Sequence, residues 1–242
     1  MQVNTTLFAF PVNLILGLLI LVIGWQAKRL ATPTHATIAL GLVAVVSLVQ
    51  GFLPPQSGFT RSWPFVVALL WLLVVLSSVL FRRPFRSISF FLNHAGLWLA
   101  LWAGVLGACD ASAFKLIVQR DAFTNKAFDT QAQTVHTLPF SVQLTDFAME
   151  TYPTGEPRDF QATIALQDAS QTKTSAIVRV NHPVSYGGHQ LYLQGYDVAQ
   201  KALSPYCVLL VTRQPWRFAV GAGILMMIAG AGCTLFVKKR QL

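Results

Sequence analysis

The chain has 242 residues, 54% of them hydrophobic and only 11% charged, with a formal net charge of +9. Soluble domains carry about 25% charged residues, so this deficit points to a membrane protein. Residues 1–109 hold no Asp or Glu, and the basic surplus sits in short clusters beside apolar runs, which argues against a nucleic-acid footprint.

Five apolar runs have the length of a helical span, which is roughly 17–25 residues. In chain order they are 7–27, 36–53, 65–81, 88–108 and 216–237. The N-terminus lacks a basic region and a small-residue cleavage site, so the first run reads as a span and not a signal peptide. Three basic clusters lie between or after these runs: Lys28–Arg29, Arg82–Arg83–Arg86 and Lys238–Lys239–Arg240. With five spans all three fall on one side, which the positive-inside rule makes cytoplasmic. The N-terminus and the segment 110–215 then lie outside.

Segment 110–215 is polar and carries all nine acids. Its apolar residues alternate around Phe140–Leu144, along Phe160, Ala162, Ile164 and Leu166, and at Leu191 and Leu193. "TSAIVRV" and "PYCVLLVTR" read as further strands. Short strands broken by turn residues predict a small all-β domain, a sandwich or partial barrel. The expected organisation is therefore an integral membrane protein. It has a four-helix transmembrane region over 1–109 and an extracytoplasmic β-domain over 110–215. A last helix with a basic cytoplasmic tail covers 216–242.

His94 stands six residues into the fourth run, roughly 9 Å along a helix at 1.5 Å per residue. An ionisable side chain at that depth is a functional hypothesis by default. Trp98 and Trp102, at i+4 and i+8, share its face and could wall a flat aromatic ligand. The competing reading has His94 bonded to a neighbouring helix or snorkelling to the interface. Gly96, Ala100, Gly104 and Ala108 form a separate ridge of small residues suited to close helix packing. His35 reads first as a solvated residue at a helix start. His182 and His189, seven apart around Pro183 and a Gly-Gly pair, make a poor metal site without further ligands. Cys109 and Cys207 could form a disulfide outside the cytoplasm, and nothing in the sequence places them together. Nucleotide-binding loops, metalloprotease motifs and C-x-x-C are absent from the sequence.

Two blocks in the β-domain, "LPFSVQLTDFAMETYPTGEPRDFQATIALQD" and "VRVNHPVSYGGHQLYLQGYD", resemble the ResB family of system II cytochrome c biogenesis proteins. The likeness runs over roughly 88–237, with a span before the domain and a span behind it. It implies a haem-channelling subunit that carries no synthetase motif of its own. The expected partner is a CcsA-type, tryptophan-rich membrane protein that joins haem to apocytochrome c through thioethers. It implies haem b in transit, an inner-membrane location and no nucleic-acid partner. It also implies His94 as an axial ligand to haem iron, with Trp98 and Trp102 beside it. The alternative class is a membrane anchor that displays a β-domain for protein contact, without haem. The chain departs from the family in its short length, in four spans before the domain, and in Leu193 and His189 where other residues are usual.

Overall fold

The computed structural model describes residues 5–54, 59, 62–82, 87–129, 132–154 and 156–239. Arg83, Arg86 and Arg240 lie outside the described residues. The chain divides into two compact units, one of residues 1–110 with 215–242 and one of residues 111–214.

The first unit is helical: α1 (Val12–Gln26), α2 (Pro33–Phe52), α3 (Trp63–Arg82), α4 (Ile88–Val105) and α5 (Arg217–Lys239). Four of these regions are long and apolar enough to cross a membrane, and α1 is a shorter apolar helix. Its predicted run is cut at the front by Pro11 and at the back by a 3-10 turn over Lys28–Leu30. The other helices start where capping chemistry starts them. The Thr32 hydroxyl accepts from the His35 backbone N–H ahead of α2 (3.3 Å), and the Ser87 hydroxyl accepts from that of Phe90 ahead of α4 (3.1 Å). The His35 ring also lies 2.7 Å from the Thr32 hydroxyl, so His35 belongs to a cap.

Lipid is as apolar as leucine, so helices in a bilayer associate through close packing and hydrogen bonds. Both devices are present. A Cβ placed on Gly96 would lie 2.6 Å from the Gly223 carbonyl oxygen, and one on Gly223 would lie 2.7 Å from the Ala100 nitrogen. The front of the small-residue ridge is thus where α4 meets α5. A Cβ on Gly104, further along, would lie 4.0 Å from Val220, so that glycine is less tightly engaged. α3 sits centrally and buries Leu69, Leu72, Leu73 and Leu76.

A polar knot fixes the far end of α4. The Asp110 carboxylate accepts from the Phe10 backbone N–H (2.7 Å), the Asn13 side-chain amide (2.7 Å) and the Trp216 indole N–H (2.5 Å). Asn13 is buried, and its backbone carbonyl accepts from the Trp102 indole N–H (3.2 Å). Gly107 makes room for the Trp216 ring, which a Cβ there would meet at 2.6 Å.

The second unit is one antiparallel sheet of eight strands. They are β1 (Ser112–Gln119), β2 (Thr124–Asp129), β3 (Thr134–Thr151), β4 (Pro157–Gln167), β5 (Lys173–Arg179), β6 (Val184–Tyr186), β7 (His189–Tyr196) and β8 (Tyr206–Arg213). The order is β5-β4-β3-β2-β1-β8-β7-β6. A single core takes Leu116, Val142, Ile164, Val178, Leu191 and Leu209 from six of these strands. β5, at one edge, touches β6 and β7 at the other, and Arg179 bridges His182. The sheet therefore curls towards a partial barrel, and the sandwich alternative is not what forms. β3 carries a bulge at Thr145: Leu144 pairs with Ile164, then Asp146 with Thr163. Buried positions change phase there, from Leu138, Phe140, Val142 and Leu144 to Phe147.

Removing the Asp110 carboxylate leaves the Trp216 indole N–H without its acceptor and the buried Asn13 amide with only the Leu106 carbonyl, 3.4 Å away. Asp110→Ala is expected to cost about 3 kcal/mol of helical-unit stability. Thermal unfolding of the purified protein in detergent checks this, and an unchanged midpoint would show the knot to be ornamental.

Candidate functional site

α4 positions His94. Its ring stacks on Phe90 one turn earlier, with centroids 4.0 Å apart. Nδ1 lies 2.8 Å from the Phe90 carbonyl oxygen. A carbonyl can only accept, so Nδ1 carries a proton, and in the neutral ring Nε2 presents a lone pair. Nε2 has no hydrogen-bond partner among the described residues, and the residue is half-buried. The hydrogen bond of His94 therefore goes to its own helix and not to a neighbour. Asn93, the preceding residue, meets α5 instead: a Cβ on Gly230 would lie 2.9 Å from it.

An imidazole held through Nδ1–H with Nε2 open has the form of an iron ligand, since the bond on one nitrogen sets the tautomer and ring orientation for the other. The His94 imidazole is of a chemistry that could hold a haem iron through Nε2.

Trp98 and Trp102 are placed differently. They are 8% and 7% exposed, too little to offer an open wall to a ligand. The rings stack at 5.8 Å, and Trp102 meets Trp216 edge to face at 4.9 Å. The Trp98 indole N–H donates to the Ser77 hydroxyl (2.8 Å), which itself donates to the Leu73 carbonyl (2.8 Å). Both indoles thus hold α4 to the bundle: Trp98 against α3, Trp102 against α1.

In the β-unit, the Gly187–Gly188 pair does form a hairpin turn, with φ of +53° and +77°. It pairs His189 with Tyr186 and does not bring His182 alongside. His182 sits exposed in its own turn beyond Asn181, bonded through its backbone to Arg179. His189 shares a cleft with His136, a histidine given no role from sequence. The signal for that pairing is the long-range strand order, which periodicity does not carry. No group of three or more metal-ligating side chains occurs among the described residues.

Cys109, Cys207 and Cys233 form no disulfide among the described residues, so the Cys109–Cys207 bond is not made in this structure. Cys207 lies inside the β core, fully buried, and burial pushes its thiol up to about 12. A neutral buried thiol is a poor nucleophile. In the native protein Cys207 should resist maleimide labelling at neutral pH and become labelled after denaturation, as peptide mass mapping can show. Fast native labelling of Cys207 would contradict the closed core.

The model of the ResB-like family matches residues 81–207, more than half of the chain. The chain belongs to the ResB-like family. The match takes in all of α4, including His94, and the sheet from β1 to the start of β8. Membership supports a role in cytochrome c biogenesis. No curated protein matches the chain. Among solved structures, a cytochrome c haem lyase, CcmF, is similar with a TM-score of 0.39 and 11% identity. That likeness covers 82% of this chain and 34% of that one, so this ResB-like chain spans about a third of its length. At that score it carries no argument.

Proposed function

We propose that this chain is the ResB-like subunit of a system II cytochrome c biogenesis complex. In this role it hands haem b from the cytoplasmic side to the outer face of the inner membrane. A CcsA-type partner there completes attachment to apocytochrome c. The observation that carries the reading is the family match, which takes in α4 and the β-unit as far as the start of β8 in one block. The open Nε2 of His94 supports the haem part.

His94 would hold the haem iron through Nε2, and the partner would supply a further ligand. Trp98 and Trp102 work from inside the bundle by fixing the rotation of α4, so that His94 keeps its place. The haem brings the vinyl groups that form thioethers with cysteine thiols, and no residue of this chain is assigned as acid or base.

The topology follows the basic clusters: five spans, the C-terminus cytoplasmic, the N-terminus and residues 110–215 outside. Arg82 supports it, because its guanidinium donates to the Ala31 carbonyl at 3.3 Å. The turn after α1 and the end of α3 therefore share one end of the helical unit.

Purified with its partner, the complex is expected to show a haem Soret band that falls several-fold in His94→Ala, with cytochrome c maturation falling alongside. The half-buried position of His94 leaves the fold intact, which an unchanged melting midpoint would verify. Full haem content and full maturation in His94→Ala would instead favour a haem-free anchor that displays its β-unit to other proteins.

A further inference from the structure

The β-unit holds a cleft of about 460 Å³, lined among others by Phe114, His136, Leu138, Gly187, His189 and Arg213. Its residues come from β1, β3, the β6–β7 turn, the start of β7 and the end of β8. The fold brings them together, since β1 is hydrogen-bonded to β8 and β8 to β7.

The donors define what fits. The His189 ring has Nδ1 2.8 Å from the Gly187 carbonyl oxygen, so Nδ1 is the protonated nitrogen and Nε2 is open. This is the arrangement seen at His94, built here on a hairpin. The ring is held edge-on to Phe140 at 5.5 Å. His136 packs on Phe114 at 4.6 Å, and its Nε2 lies 3.3 Å from the Thr134 hydroxyl, which leaves Nδ1. Arg213 is exposed and forms no ion pair among the described residues. Among the described residues no carboxylate or thiol lines the cleft.

A bare metal ion is a poor match for this set. Metal sites of the zinc type take three or four protein ligands and are closed around the ion, whereas this cleft offers two imidazoles, a cation and space for a whole molecule. A metalloporphyrin is a good match. It brings four equatorial nitrogens of its own, asks the protein for one or two axial imidazoles, and carries two carboxylates that an arginine fork recognises.

We propose that this cleft is a second haem site, with His189 Nε2 as axial ligand and Arg213 paired with a propionate. His136 lines the same cleft. The choice of haem over another carboxylate-bearing metalloporphyrin rests on the proposed function; the site itself rests on the cleft.

The test is a haemin titration of the full chain in detergent micelles, followed by the Soret band, with Zn²⁺ and haemin dimethyl ester as further probes. Wild type should take up two equivalents, His94→Ala one, and His94→Ala/His189→Ala none in the same concentration range. Arg213→Gln should bind haemin at the second site about tenfold more weakly, the loss expected for one charge-assisted contact. It should bind the dimethyl ester as wild type does. Because Arg213 is exposed, that arm remains informative if His189→Ala disturbs the hairpin. Complete loss of uptake in His94→Ala alone overturns the cleft and leaves the His94 reading standing. Loss of one equivalent in His189→Ala, with none lost in His94→Ala, supports the cleft and overturns the His94 reading. Zn²⁺ uptake abolished by His189→Ala while haemin uptake is untouched also overturns the proposal.

Discussion

The carboxylate of Asp110 is the constraint on which the helical unit turns. It is the first acid in the chain, and it accepts from three donors that arrive from the segment before α1, from α1 itself and from the residue before α5. Hydrogen bonds to an ionised acceptor are roughly twice as strong as neutral ones. In a bundle whose outer faces present Leu18, Val22, Leu48, Leu225 and Ile228, apolar contact alone selects no particular helix rotation. The knot does select one. It sets α1 against the end of α4, and the indole of Trp102, bonded to the Asn13 carbonyl, carries the setting one further turn into the core. Ser77 and Trp98 repeat the device between α3 and α4.

That economy of polar groups separates scaffold from site. Asn13, Ser77, Trp98 and Trp102 are buried and each has its partner. His94 and His189 each spend one ring nitrogen on a local carbonyl and leave the other open. In both histidines the open atom is a ring nitrogen with a lone pair, whereas the polar groups that pack α1, α3 and α4 together spend theirs on a neighbouring helix or on their own.

Much of this was legible in the sequence. Apolar runs gave the helices, and alternation gave β3, β4 and β7, because both periods are local. The small-residue ridge announced a close helix contact without naming its partner, which is α5 against Gly96 and Ala100. Other features were not legible. β1 and β2 escaped because Ile117 is apolar yet faces outward, 58% exposed, and because β2 buries Ala127 as its sole inward side chain, so neither strand shows clean alternation. The Trp98 and Trp102 rings read as a possible ligand wall, since spacing gives a shared face but not what packs on that face. The Asp110 knot and the meeting of His136 with His189 depend on residues far apart in sequence, which no local pattern encodes.

One consequence of the strand order concerns how the β-unit is attached. Its first and last strands are neighbours, with Ser112 opposite Arg213. Two residues before the one and three after the other, Asp110 and Trp216 are themselves hydrogen-bonded. The chain thus leaves the helical unit and re-enters it through a gate pinned on both sides, and the hundred or so residues between form a closed excursion. Closing a long loop costs little more than closing a short one, because the entropic penalty rises only with the logarithm of length. With the gate already held, the cargo inserted there is thermodynamically interchangeable: a larger or smaller β-domain could be grafted into the same doorway without disturbing the helices that frame it.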